Sequence, residues 1–101
     1  MNHQISARKL FYGKSFKATI ESIDEENKFI TVEGLNTNKE NNKDKYCFVV
    51  EYTTEIIWRN EKIDVSDLSV GNTILITATG RVFEESPAFL EHVLFIELLE
   101  K

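Results

Sequence analysis

Apolar and polar positions alternate with a period of two from Phe16 onward, with Phe16, Ala18 and Ile20 on one side and Lys17, Thr19 and Glu21 on the other. Successive side chains of an extended chain point to opposite faces, so this spacing predicts a half-buried β-strand. Asp24 to Lys28 is a polar turn, and Phe29-Ile30-Thr31-Val32-Glu33 returns as the second arm of a hairpin. Leu35 to Lys45 carries four Asn and three Lys and reads as a solvated loop. Tyr46 to Tyr52 then alternates again, which sets Tyr46, Phe48, Val50 and Tyr52 on one face. Thr54 to Trp58 continues as a strand, Asn60-Glu61 turns the chain, and Lys62 to Val65 brings it back.

The stretch DVSDLSVGNTILITATGRVFEESP, Asp64 to Pro87, holds most of the punctuation. Ser66 is a natural cap for a brief helical turn. Gly71 is expected at positive φ, releasing the chain into a strand from Thr73 to Thr79 with Ile74, Ile76 and Ala78 inward. Glu84-Glu85-Ser86-Pro87 is the last turn, and Leu90 to Leu99 the last strand. That strand is apolar on both faces, Leu94, Ile96 and Leu98 on one and Val93, Phe95 and Leu99 on the other. Its two-sided character predicts either deep coverage or an edge that meets a partner.

Five to seven short strands, one short helical turn and no long amphipathic helix define the fold expectation. It is an all-β, single-domain, OB-type Greek-key barrel, with a small β-sandwich as the alternative. Residues 1–15 are expected to be a tail or a short helical turn, and 16–101 the barrel. The expected core is Phe16, Ile20, Phe48, Val50, Ile74, Ile76, Leu94 and Ile96.

Composition narrows the function classes. The 101 residues suffice for one domain and its core. The net charge of −5 repels polyanions unless cations gather locally, and the richest cluster is only Arg8, Lys9, Lys14 and Lys17. Cys47, the single cysteine, lies in the apolar run Tyr46 to Val50, where it reads as a small buried hydrophobe rather than a nucleophile. No apolar run approaches the roughly 18 residues of a membrane span. The opening MNHQISARKLFYGKSF has no apolar signal-peptide core.

Catalytic patterns are thin. His3 lies in the expected tail, and His92 lies in the last strand without a designated partner. Ser86 lacks a Gly-x-Ser-x-Gly elbow. Adjacent Glu84 and Glu85 point apart on an extended chain, so they do not converge as acid and base. One Cys and two distant His do not make a zinc set. Asp24-Glu25-Glu26-Asn27 has oxygens for calcium but neither the EF-hand spacing nor its central Gly, so it reads as a solvated turn. The four glycines, at 13, 34, 71 and 80, are too scattered for a phosphate loop. The chain is accordingly expected to be no enzyme and to use no metal or cofactor.

Four segments carry a family resemblance: FKATIESIDEENKFITVEG, YCFVVEYTTEIIW, VSDLSVGNTILITATG and GRVFEESPAFLEHVLFIELL. Over roughly residues 16 to 99 the chain resembles small OB-like β-barrel proteins of Gram-positive bacteria, many of them secreted or lipoproteins. Those proteins close with a Gly, then a Glu-Ser-Tyr-Pro-Ala turn, then an Ile-Glu-Val-type strand. Gly80, Glu85, Ser86, Pro87 and Ala88 match the turn here, and Ile96-Glu97-Leu98 the strand end. The turn's Tyr is missing, and so is a lipobox cysteine. The resemblance implies a barrel and a cell-envelope lineage, and it implies no activity.

The functional expectation is a non-enzymatic binding module whose partner is a protein or a cell-envelope component. Its expected surface comprises Trp58, Glu85, Ser86, Pro87 and Phe95. The alternative is single-strand nucleic-acid binding, for which OB barrels use aromatics on a basic groove. Tyr46, Phe48, Tyr52 and Trp58 supply aromatics, but no Lys or Arg interleaves with the first three, and strand-face burial accounts for them better.

Overall fold

A computed structural model describes residues 7–35, 45–85 and 87–101. Seven strands follow in chain order: β1 (Ala7–Asp24), β2 (Phe29–Gly34), β3 (Lys45–Val49), β4 (Glu55–Trp58), β5 (Glu61–Ile63), β6 (Thr73–Phe83) and β7 (Ala88–Glu100). A 3₁₀ turn, Val65–Asp67, stands between β5 and β6.

Five of the strands close a barrel. β1 pairs antiparallel with β2 through residues 18 to 24 and with β6 through residues 7 to 19. β2 pairs with β3 and β6 with β7, both antiparallel. Parallel rungs Tyr46–Ala88 and Cys47–Phe89 then join β3 to β7. The circuit β1-β2-β3-β7-β6 is the OB-type Greek key, in which a parallel contact between the third and fifth barrel strands completes the ring. The β4–β5 hairpin and the 3₁₀ turn fill the connection between β3 and β6, and β4 runs parallel to the far half of β7.

Inside the ring, Ala18, Ile20, Ile30, Val32, Phe48, Ile74, Ile76, Leu90 and Ile96 are sealed from solvent. Phe16 packs against this core half-buried, and its ring meets Tyr46 at 4.9 Å. β2 separates the strands that carry those two rings, so the contact spans the barrel interior. Val65 and Leu68 are buried with the same cluster and cover one end of it.

Several expectations need correction. β1 begins at Ala7, so the boundary placed at Phe16 falls inside a strand; the backbone of β6 runs long enough to pair that far. The helical turn is capped by Asp64, not Ser66. The Asp64 carboxylate accepts the Asp67 N–H while Asp67 Oδ2 accepts the Asp64 N–H at 2.9 Å, a reciprocal capping box, and Asp64 Oδ1 also accepts the Val65 N–H at 2.7 Å. Tyr52 leaves the face of Phe48 and Val50, because the chain turns at residues 51–54. There the Thr54 N–H donates to the Glu51 carbonyl at 2.9 Å, and Tyr52 at the corner is fully exposed. The hairpin β4–β5 turns at Arg59-Asn60, both at positive φ, with Trp58 opposite Glu61. That pair of left-handed residues is what a two-residue type I′ hairpin requires.

The largest correction falls on Leu94, expected inside and found 39% exposed. Thr77 pairs with Phe95 and Ala78 with Val93, leaving Leu94 as an extra residue in β7. A bulge of this kind breaks period two and lets two consecutive residues face the same way. Val93 is therefore inside, Leu94 and Phe95 are outside, and alternation resumes inward at Ile96 and Leu98. The same device at Glu21 of β1 keeps Ile20 inside and turns Ile23 back toward the core. Gly71 does adopt positive φ, as expected.

Phe48 is the largest of the sealed side chains. Phe48→Ala should cost about 3–5 kcal/mol, from lost transfer energy and the cavity left behind. Against a typical total of about 5–15 kcal/mol, denaturant titration should show a much lower midpoint or an unfolded chain. An unchanged midpoint would place the ring outside the core.

Candidate functional site

The bulge on β7 creates the surface with the greatest departure from a bland barrel exterior. Leu94 is 39% exposed, Phe95 44%, and Val49 at the end of β3 40%. Continuing the parallel register of Cys47 with Phe89 sets Val49 level with Glu91, on the outer side shared with Phe95 and about 13 Å from it along the strand. Between the end of β3 and the start of β4, the 51–54 turn bridges the same edge of β7. The Thr54 hydroxyl donates to the Val93 carbonyl at 2.7 Å, and Glu51 Oε1 lies 3.7 Å from His92 Nδ1. Exposed Glu51, Glu55 and His92 thus border the apolar residues.

The residues singled out from sequence are dispersed. Phe95 is exposed on the outer face of β7, opposite Glu55 of β4. Trp58 sits on the other side of β4, in phase with buried Ile56, and packs half-buried against the core. Arg59 and Lys101 lie over its ring at 4.5 and 4.9 Å, so its remaining surface is engaged by cations. Glu85 is exposed and Pro87 half-buried in the turn before β7, and Ser86 lies outside the described residues. That turn approaches β3: burial, and then the Glu85 carboxylate, hold the Cys47 thiol above its ordinary pKa. A raised pKa disfavours the thiolate, the reactive form. Six residues of strand separate Phe89 from Phe95, about 20 Å, so the turn and the bulge are separate surfaces.

OB barrels bind strands of nucleic acid on the outer face of their second and third strands. Here that face presents Phe29, Thr31 and Glu33 of β2 beside Lys45, Cys47 and Val49 of β3. Among the described residues its one cation, Lys45, holds its ammonium 3.0 Å from Glu21 Oε2, and the hydrogen bond and charge of Glu21 raise its pKa. Tyr46 and Phe48 point into the barrel. Strand-face burial thus accounts for Tyr46 and Phe48, as expected, whereas Tyr52 is fully exposed.

Acidic clusters are likewise put to structural use. Both Asp24 carboxylate oxygens face Asn27, at 3.3 Å to its backbone nitrogen and 2.8 Å to its side-chain amide. These bonds lower the Asp24 pKa and close the β1–β2 turn. Glu91 Oε1 accepts the Arg81 N–H at 2.8 Å beside another register shift of β6 against β7, at Gly80 and Arg81. Gly80 has φ +84°, and a Cβ there would lie 2.8 Å from that same carboxylate oxygen. Among the described residues no three His, Cys, Asp or Glu side chains group as metal ligands, and no helix is long and apolar enough to cross a membrane.

Sequence reasoning found Phe95 but missed Leu94, Val49 and Tyr52. The run Val93-Leu94-Phe95-Ile96 fits either a strand covered on both faces or one with an inserted residue, and the pairing with β6 decides for the insertion. No protein-family model matches the chain, and no curated protein matches it.

Deleting Leu94 should test the bulge directly. Removal leaves Val93 in, Phe95 out and Ile96 in, a regular alternation, so the barrel should still unfold cooperatively. Its midpoint should fall by less than that of Phe48→Ala. A deletion variant that fails to fold would show that closure depends on the extra residue.

Proposed function

We propose that this chain is a non-enzymatic binding module of OB architecture whose partner is a protein of the bacterial cell envelope. The carrying observation is the Leu94–Phe95 pair. A bulge turns two adjacent large apolar side chains outward, and Val49 lies on the same side. Exposed apolar side chains that cluster, bordered by polar ones, are the usual mark of a protein-contacting surface. Assignment to the envelope rests on the resemblance around Gly80, Glu85, Pro87 and Ala88.

Single-strand nucleic-acid binding is the rival reading, and the outer face of β2 and β3 speaks against it. Among the described residues of that face the one cation, Lys45, is paired with Glu21, and two of the aromatics that would stack bases are inside.

Two measurements test the proposal. Immobilised chain should retain an envelope protein from a membrane-and-wall extract of a Gram-positive bacterium, and the double variant Leu94→Ser, Phe95→Ser should lose most of that retention. Equal retention by the variant would reject the bulge as the contact surface. Separately, a labelled single-stranded oligonucleotide should not bind at low salt. Micromolar binding that weakens with salt, at a log–log slope of about −0.7 per phosphate neutralised, would overturn the proposal in favour of the rival.

A further inference from the structure

The 51–54 turn does more than bridge two strands. It walls a cavity of about 200 Å³ between itself, the β1–β2 turn and the 3₁₀ turn. Four apolar side chains form its floor: Val50, Ile56, Ile63 and Val65. Polar residues line it with them: Lys28, Glu51, Tyr52, Thr54 and Asp64. The Asp64 carboxylate caps the Val65 and Asp67 N–H groups, while Glu51 Oε1 lies 3.7 Å from His92 Nδ1. Two carboxylates against one ammonium leave the rim negative, in a chain whose net charge is −5.

An apolar floor below a negative rim is complementary to one kind of side chain, an aliphatic stem that ends in a positive charge. A carboxylate-bearing ligand would meet one cation and two like charges. A wholly apolar ligand would leave the rim without a partner. Fully exposed Tyr52 stands at the mouth, where its ring can lie against a cation. Through Glu51 and Thr54, the cavity adjoins His92 and Val93, the residues that precede Leu94 and Phe95.

We infer that the cavity accepts a lysine or arginine side chain of the partner protein, seated beside the apolar contact at Leu94 and Phe95. This rests on the reading of the chain as a protein-binding module. Stem carbons cover Val50, Ile56, Ile63 and Val65, and the charge meets Glu51 at the rim.

Blocked tripeptides test the site without the partner. The amide resonances of the folded chain would be followed by NMR at low salt during titration with acetyl-Gly-Lys-Gly-amide, its norleucine analogue and its glutamate analogue. The lysine peptide should shift Val50, Ile56 and Val65 saturably, with millimolar affinity. Norleucine should bind about two- to fivefold more weakly, the loss expected of one exposed ion pair. The glutamate peptide should leave these resonances unmoved. Glu51→Gln, at an exposed position, should weaken the lysine peptide by a similar factor and leave norleucine unchanged.

Absence of shifts with the lysine peptide would overturn the inference, as would shifts confined to other parts of the barrel. Equal affinity for lysine and norleucine, or indifference to Glu51→Gln, would do the same. Phe95→Ser should not alter this titration. Failure of the bulge as a contact surface and failure of the cavity therefore give separate results.

Discussion

One edge of β7 carries the architecture, because two separate strands share it. β3 pairs with its first residues and closes the barrel, and β4 pairs with its second half. Both run parallel to β7, so the chain must step sideways between them and still satisfy the backbone groups it passes. Residues 50–54 make that step. The Val50 N–H donates to the Lys28 carbonyl, the Glu51 N–H reaches the Thr54 hydroxyl, and that hydroxyl supplies the Val93 carbonyl. Unpaired backbone at such a place would cost roughly 1–3 kcal/mol per buried group, so one threonine stands in for a missing rung of the ladder.

The geometry of that edge also explains where the apolar surface lies. A barrel needs strong local twist, and inserted residues supply it. In β1 the extra residue is Glu21, which turns its charge toward Lys45. In β7 it is Leu94, and the same strain-relieving insertion exposes a leucine and a phenylalanine together. Edge protection elsewhere is ordinary by contrast. β5, the outermost strand beyond β4, is three residues long and carries exposed Glu61 and Lys62, which discourages strand addition.

Much of the fold was legible because a half-buried strand imposes period two on its sequence. Phe16 to Ile20 and Thr73 to Thr79 keep that period with the expected face inward, and Phe29 to Glu33 forms the expected second arm of the hairpin, its buried Ile30 and Val32 absent from the expected core. Legibility failed wherever an inserted residue or a turn reset the phase. Leu94 was assigned to the core because two-residue counting carried through the bulge, and Tyr52 because it carried through the 51–54 turn. Ser66 is the expected cap in place of Asp64 for a related reason, since both are good caps and only the Asp67 partner, three residues after Asp64, decides between them. Phe95 was picked out as a surface residue from the two-sided strand alone. Trp58 was grouped with it, although they stand on opposite sides of their strands, and that relation follows from pairing partners which no local pattern encodes. The cavity has no sequence signature, because its walls come from three separate turns.

The parallel rungs that complete the barrel have a kinetic consequence. Tyr46 and Ala88 are distant in the chain, with a hairpin, a 3₁₀ turn and the whole of β6 between them. Every other barrel pairing except β1 with β6 joins neighbours through a short turn or a single loop. Loop-closure entropy must be met before a distant pairing returns any energy, so ring closure belongs late in folding, and chains dominated by such pairings fold in milliseconds to seconds. Until that moment β3 and β7 each present an open edge, and β7 presents one that is apolar on both sides. The interval before the ring shuts is when this sequence is most exposed to joining its own copies, and the speed of the final zip governs how much of it survives to the folded state.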